Sequence, residues 1–145
     1  MKEPSEMTAL ELREAVAVEV MGRKKHSWPW LPGEQAVFPR CAYCGETCYF
    51  HEPEKQAGWC WGFNPSAYES DIAAAFDVVE KMREKGFRLS LLAWNRDDAE
   101  DVVAEFERWA EKGRSKAFGE GQHESAPRAI CMAAVDAVRA AKENA

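Results

Sequence analysis

Residues 23–65 constrain the fold most, because prolines recur throughout them. An interior proline removes a helical hydrogen bond and clashes with the preceding turn, so no long helix can cross this segment. Four of the six tryptophans and four of the five cysteines also lie here. Alternating aromatic residues in "TCYFH" and "GWCWGF" predict two short strands. We therefore expect a Cys/Trp-rich insert built from short strands and turns, with prolines at Pro29, Pro32, Pro39, Pro53 and Pro65.

The sequence outside this insert has helical periodicity in three places. In "TALELREAVAVEVMG", Thr8 and Glu11 have the spacing of a capping box, and Gly22 marks the helix end. Ser70 is the predicted N-cap of the second helix, and Ser125 opens the third. The predicted buried faces are Leu12, Val16 and Val20 in the first helix, Ile72, Phe76, Val79 and Met82 or Arg83 in the second, and Ile130, Ala134, Ala137, Val138 and Ala141 in the third.

The region between the second and third helices favours a strand at first and then becomes ambiguous. The stretch "FRLSLLAW" is apolar, rich in aromatic residues and directly follows a helix end, so it predicts a strand. Residues 97–112 fit either a helix or the second arm of a hairpin. Local propensity favours the helix there, although tertiary context can override such a preference.

The overall composition is that of one globular domain spanning residues 1–145, with the insert inside it. The chain has 46% hydrophobic residues, 30% charged residues and a net charge of −6. This acidic balance disfavours nucleic acid as a partner, because phosphate binding needs clustered Lys and Arg. The charge is uneven, however, since residues 23–61 are slightly basic and the remainder is strongly acidic. Without a signal peptide or an apolar run of about 20 residues, we expect a cytoplasmic protein with reduced cysteines.

The cysteines of the insert have the pattern of a metal site. Cys41 and Cys44 form a CxxC pair that places two thiolates on one tight turn, as in many zinc sites. Cys60 is the expected third ligand, and Cys48 or His51 the fourth, so we predict one structural zinc. The alternatives are thiols that pack as small apolar side chains and a redox pair, which the absence of a following helix disfavours. Cys131, on the third helix, is expected in the core.

The tryptophans of the insert occur as two i, i+2 pairs. In a strand, both members of such a pair face the same side. One interpretation is the buried face of a small sheet, and the other is an aromatic platform that stacks a base or contacts a partner. The candidate partner surface is Trp28, Trp30, Trp59 and Trp61. No nucleophile elbow or phosphate-binding loop occurs in the sequence, so we expect no enzymatic activity.

Three segments together resemble the phage ABA sandwich domain, a family of small proteins from bacteriophages and prophages. They are "ELREAVAVEVMG", "NPSAYESDIAAAFDVVEKMREKGFRLSL" and "HESAPRAICMAAVDAV". The resemblance implies an α/β (α+β) fold in which about three helices pack on a small antiparallel sheet, and it implies a strand at "DVVAEF". It implies no catalytic residues. The thiol-rich insert and a longer segment from Asp97 to Gly121 depart from the family pattern.

The resemblance, together with the absence of catalytic motifs, implies a non-enzymatic, phage-encoded accessory protein in the host cytoplasm. It would bind a host component, either a protein or a small ligand, and the family context implies a role in counter-defence or in modulation of the host. One alternative is a module that sequesters a small nucleotide-like ligand, and another is a zinc-stabilised nucleic-acid-binding module. The sequence leaves the target and the oligomeric state open.

Overall fold

The computed structural model describes residues 1–27, 40–45, 58–60, 63–96, 99–109 and 116–145. Its packing divides the chain into two compact units. We name residues 1–21 with 65–145 the sheet unit, and residues 22–64 the cysteine unit. The bounds of the cysteine unit nearly coincide with those of the predicted insert. The assignment of all 145 residues to one domain stays a prediction.

The sheet unit contains a three-stranded antiparallel sheet with the order β1-β2-β3. The strands are β1 (Arg88–Arg96), β2 (Ala99–Trp109) and β3 (Lys116–His123). Ala104 of β2 pairs with Leu91 on one side and with Gly121 on the other. The central strand therefore has its backbone groups paired on both sides.

Strand β2 corrects the helix that local propensity favours for residues 97–112, and it confirms the strand implied by the family resemblance. Ala104 and Phe106 are fully buried, and they lie two residues apart on the same face of the strand. Residues 102–107 of β2 pair with both neighbouring strands, and this tertiary gain overrides the local preference for helix. Residues 97–98 and 110–112 lie outside the described part of the chain.

The helices confirm the mixed α+β class. They are α1 (Ala9–Ala15), which continues as a π-helical turn (Val16–Val20), α2 (Ile72–Glu84) and α3 (Ala126–Glu143). A short 3-10 turn covers Pro4–Glu6. The predicted capping box is present: the Thr8 hydroxyl accepts a hydrogen bond from the Glu11 N–H, and the Glu11 carboxylate accepts one from the Thr8 N–H. The predicted buried face of the first helix is confirmed, since Leu12, Val16 and Val20 are fully buried.

Helix α2 differs from its prediction in two respects. Its N-cap is Asp71, whose carboxylate accepts a hydrogen bond from the Ala73 N–H, so the choice of Ser70 is wrong. Ile72 and Phe76 are about half exposed, so the predicted face is wrong in its first two turns. The small alanines let the helix approach its neighbours closely, and this rotates the buried stripe to Ala74, Ala75, Val78, Val79 and Met82.

Helix α3 lies directly against the sheet because two glycines of β3 leave room for its backbone. A Cβ atom on Gly119 would lie 2.2 Å from the Ala137 nitrogen, and one on Gly121 would lie 2.2 Å from the Ala129 oxygen. Any side chain larger than hydrogen would force the helix away from the strand. The core lies between α3, the sheet, α1 and α2, and the predicted stripe on α3 is buried apart from the half-buried Ala141.

None of the helices in the described parts of the chain is both long enough and apolar enough to cross a bilayer.

A candidate metal centre in the cysteine unit

A single β-bridge organises the cysteine unit. Lys25 and Trp59 pair as antiparallel partners. The His26 N–H donates to the Gly58 carbonyl at 3.1 Å, and the Cys60 N–H donates to the Lys24 carbonyl at 3.0 Å. Because successive side chains in extended backbone alternate in direction, the bridge places His26 and Cys60 on the same side.

The CxxC pair forms a tight turn that is tied to the same segment. The Gly45 N–H donates to the Cys41 carbonyl at 3.0 Å, and Gly45 has a φ of 73°, a conformation that glycine adopts without steric cost. The Ala42 N–H donates to the Ser27 carbonyl at 2.9 Å. This last bond fixes the turn next to His26.

These local interactions bring together an imidazole and three thiols. The His26 Nδ1 atom lies 3.5 Å from the Cys44 Sγ and 3.5 Å from the Cys60 Sγ. The Cys41 and Cys60 Sγ atoms are 3.6 Å apart, and all four ligand atoms lie within 4.8 Å of one another. With Zn–S near 2.3 Å and Zn–N near 2.0–2.1 Å, a tetrahedron has S···S edges of about 3.8 Å and S···N edges of about 3.6 Å. The three contacts therefore fit a tetrahedral zinc site.

Burial and charge in this cluster also suit a cation. Cys41 and Cys60 are 4% and 1% exposed, and Cys44 and His26 are half-buried. Burial acts to raise the pKa of Cys41, but hydrogen bonds from the backbone N–H groups of Cys44, Tyr43 and Ser27 and from the His26 ring lower it well below the usual thiol value. The Ser27 and Tyr43 N–H groups lie 3.5 and 3.4 Å from the Cys41 Sγ.

The neighbouring thiol is shifted the other way. Burial, together with the adjacent Cys41 and Cys44 thiols, raises the pKa of Cys60. Two thiolates in contact repel each other, so a bound cation is what would allow both to ionise together.

The structure brings together three of the four predicted ligands and adds one that sequence reasoning missed. Cys41, Cys44 and Cys60 lie in one cluster, and all three are free thiols. Cys48 and His51 lie outside the described residues, so their roles stay predictions. The additional candidate is His26, whose only sequence signal is its residue type, because the bridge between Lys25 and Trp59 joins segments that are far apart in the sequence.

The predicted aromatic surface is described at one of its four positions. Trp59 is half-buried, and its ring lies edge-on to that of Phe63 at a centroid distance of 5.4 Å. Trp28, Trp30 and Trp61 lie outside the described residues. In "GWCWGF", Trp59 forms the bridge with Lys25, and residues 61–62 lie outside the described part of the chain. The segment "TCYFH" also lies outside it, so the two predicted strands stay predictions.

Cys131 stands apart from this cluster. It lies fully buried in α3, as the sequence predicts. Burial raises its pKa to about 12, and the nearby Glu69 carboxylate adds to the effect.

The fold and the site define a small α+β protein that combines a sheet unit covered by helices with a compact thiol-rich unit able to hold a metal ion. The chain belongs to the phage ABA sandwich domain family, whose model matches residues 14–135. That match covers most of the chain and confirms the resemblance. No curated protein and no solved structure matches the chain.

Proposed function

We propose that this chain is a non-enzymatic phage accessory protein in which residues 22–64 form a zinc-stabilised binding module. The observation that supports the proposal is the cluster of His26, Cys41, Cys44 and Cys60, whose ligand atoms lie within 4.8 Å of one another. Four protein ligands fill a tetrahedral site, which is the arrangement of structural zinc. A catalytic zinc keeps one position open for water or substrate, and this ligand set leaves none.

The donor atoms favour zinc over the other common cations. Thiolates and imidazole are ligands that zinc binds well, whereas Mg²⁺ and Ca²⁺ prefer oxygen. When bound, zinc would cross-link the CxxC turn to the two segments of the bridge. The backbone N–H groups of Ser27 and Tyr43 would keep donating to the Cys41 sulfur and hold that ligand in place.

The host-directed part of the proposal rests on family membership. A phage protein meets its partners in the host cytoplasm, and a small accessory protein without enzymatic chemistry acts there by binding. In this account the sheet unit is the scaffold, and the cysteine unit presents the binding surface to a host component. Counter-defence and modulation of the host are the two roles that fit such a protein.

The metal content of protein purified without added zinc tests the proposal. We expect about one zinc per chain in the wild type and in Cys131→Ala, because Cys131 lies in α3 and outside the cluster. Cys44→Ser should lose most of its zinc. Wild-type protein with no metal, or a Cys44→Ser variant that binds as much zinc as the wild type, would overturn the metal module.

The host partner needs a second measurement. A host protein that binds immobilised wild-type chain directly, and fails to bind Cys44→Ser, would support a partner site on the cysteine unit. A partner that binds both forms equally would place its site elsewhere on the chain and contradict this part of the proposal.

One cleft in the sheet unit favours the ligand-sequestering alternative as a second candidate. Its volume is about 550 Å³, within the range of small-molecule sites. It lies between α2 and β1, where the guanidinium groups of Arg83 and Arg88 provide charge for an anionic ligand. Calorimetry with nucleoside phosphates tests this candidate. Arg83→Gln with Arg88→Gln should abolish binding, and Lys81→Gln with Lys85→Gln on the same helix end should not.

A further inference from the structure

We propose that the cysteine unit binds single-stranded nucleic acid through a basic and aromatic surface. We name the six residues that carry it the basic–aromatic face. Arg23, Lys25, Trp59 and Phe63 form one patch of this face, and Lys24 with Tyr43 forms a second. The inference rests on the zinc module proposed above, because that module supplies the framework of the face. It names the chemical class of the partner, which the module alone leaves open.

Each of the three consecutive basic residues of the face lies over an aromatic ring. The Arg23 guanidinium is 4.5 Å from the centre of the Phe63 ring. The Lys24 and Lys25 ammonium groups are each 5.4 Å from a ring centre, that of Tyr43 for Lys24 and that of Trp59 for Lys25.

The rings of Trp59 and Phe63 also contact each other at an interplanar angle of 77°. Arg23, Phe63, Trp59 and Lys25 therefore form one continuous surface.

The backbone that holds the candidate metal ligands also positions this face. Lys25 and Trp59 are the two partners of the bridge, and the next residue after each of them, His26 and Cys60, belongs to the metal cluster. Tyr43 lies inside the CxxC turn. A folded metal site would therefore fix the positions of the rings and cations relative to one another.

The face groups three cations in an acidic protein. The described residues of the cysteine unit include four basic side chains, Arg23, Lys24, Lys25 and Arg40, and no acidic one. A zinc ion with three thiolates and a neutral imidazole carries a single negative charge. Residues 22–64 as a whole hold five basic and four acidic side chains, so a filled site would bring the unit to neutrality, and the positive charge is local to the face. The local potential governs encounter with a charged partner more than net charge does. This distribution is the reason to depart from the expectation, based on the net charge of −6, that nucleic acid is disfavoured.

Single-stranded nucleic acid is the partner that uses both components of the face. Its phosphates match the cations, and its bases stack on aromatic rings irrespective of sequence. An acidic peptide would match only the cations. A duplex would offer its phosphates but keep its bases stacked and unavailable. Tyr43, at 52% exposed, is the ring of the face most open to a base.

The cation–ring contacts also reduce the cost of binding. A long basic side chain loses rotamer freedom when it is fixed on a phosphate. Contact with a ring restricts that freedom in the unbound protein, so less is lost on association. The face is therefore partly organised for its partner in advance.

Fluorescence anisotropy with a labelled oligothymidylate of about 20 nucleotides tests the inference on zinc-loaded, full-length protein. Three phosphate contacts predict a slope of about −2 for the logarithm of affinity against the logarithm of salt, because each contributes roughly −0.7 on single strands. Affinity should therefore fall about 20-fold between roughly 50 and 200 mM salt. A duplex of the same length should bind more weakly.

Two matched pairs of variants locate the surface. Lys24→Gln with Lys25→Gln should weaken binding roughly tenfold or more and make the salt slope less steep by about 1.4. Lys81→Gln with Lys85→Gln makes the same charge change on α2, and its affinity should stay within about twofold of the wild type. Tyr43→Ala should weaken binding about tenfold, while Tyr43→Phe keeps the stacking surface and should bind normally.

The possible outcomes separate this inference from the zinc module. Zinc-loaded protein that does not bind the oligothymidylate would overturn the inference and leave the module standing. A wild-type chain without zinc would overturn the module on which the inference rests. Equal binding of duplex, displacement by polyglutamate at equal charge or by free mononucleotide, or binding unaffected by Tyr43→Ala would each contradict the single-strand assignment.

Discussion

The two units of this protein differ in how much apolar surface their described residues bury. The sheet unit buries a continuous apolar core, with Leu12, Met82 and Phe106 among its fully buried side chains. In the described residues of the cysteine unit, the buried apolar side chains are only those of Cys41 and Cys60. A unit of this size rarely gains enough from a core alone and commonly depends on a metal or disulfides. Hydrophobic burial therefore accounts for the first unit, and the proposed metal site would stabilise the second.

Removal of the metal should have the largest effect, and it should affect one unit only. Structural zinc in small finger peptides contributes about 10–16 kcal/mol of apparent binding free energy, so a chelator should unfold residues 22–64. Hydrogen exchange should show lost protection at the amides of His26 and Cys60, whose hydrogen bonds form the bridge. Amides of β2 and α3 should stay protected. Equal loss in both units, or loss in neither, would contradict the division.

Truncation of a core side chain should destabilise the sheet unit and leave the metal site of the cysteine unit unchanged. Phe106→Ala should lower the free energy of unfolding of the sheet unit by about 3–5 kcal/mol, because the Phe106 side chain is fully buried. Urea unfolding followed by far-UV circular dichroism measures this change. Phe76→Ala, at a half-exposed position on α2, is the matched control and should cost less than about 1 kcal/mol. Both variants should retain their zinc, and loss of zinc in Phe106→Ala would link the two units.

The close contact of β3 with α3 predicts a smaller effect that is also confined to the sheet unit. Gly121→Ala places a methyl group in space occupied by the backbone of α3, so it should destabilise the unit by about 1–3 kcal/mol. Gln122→Ala, at the exposed next position of β3, should change stability by less than about 0.5 kcal/mol. The same urea experiment compares them. Similar values for the two variants would show that α3 has room to move.

Alkaline pH should act on the sheet unit through Cys131. Burial raises its pKa from 9.0 to about 12, so the folded state retains a proton that the unfolded state releases. This contribution is intact below pH 9 and is lost as the pH rises towards 12, at about 1.4 kcal/mol per pH unit. Unfolding measured across this range in the wild type and in Cys131→Ala isolates the effect. Identical slopes in both proteins would contradict it.

The sequence predicts those features of the fold that depend on neighbouring residues. The capping box of Thr8 and Glu11, strand β1 and helix α3 all have local signals. Strand β2 does not, because its pattern fits a helix until pairing with β1 and β3 decides the outcome. Strand β3 has no strand signal at all, since Gly119 and Gly121 suggest a loop. Only the packing of α3 against β3 shows that these two positions have no room for a side chain.

The same distinction holds for the candidate metal centre. Cys41 and Cys44 are recognisable because two ligands of one type lie on one turn, and Cys60 because it is a third thiol nearby in the sequence. His26 precedes Cys41 by a stretch rich in proline and tryptophan, and nothing in its own surroundings marks it as a ligand. Only the long-range bridge of Lys25 with Trp59 shows that it belongs to the cluster.

The most direct test of the central claim is zinc K-edge X-ray absorption on the purified wild-type chain. The account predicts one zinc with three sulfur ligands near 2.3 Å and one nitrogen near 2.0–2.1 Å, from Cys41, Cys44, Cys60 and His26. The nitrogen shell should disappear in His26→Ala and stay in His51→Ala. A site with four sulfur ligands, or a nitrogen shell that disappears with His51 instead, would show that another residue completes the centre and would contradict the account.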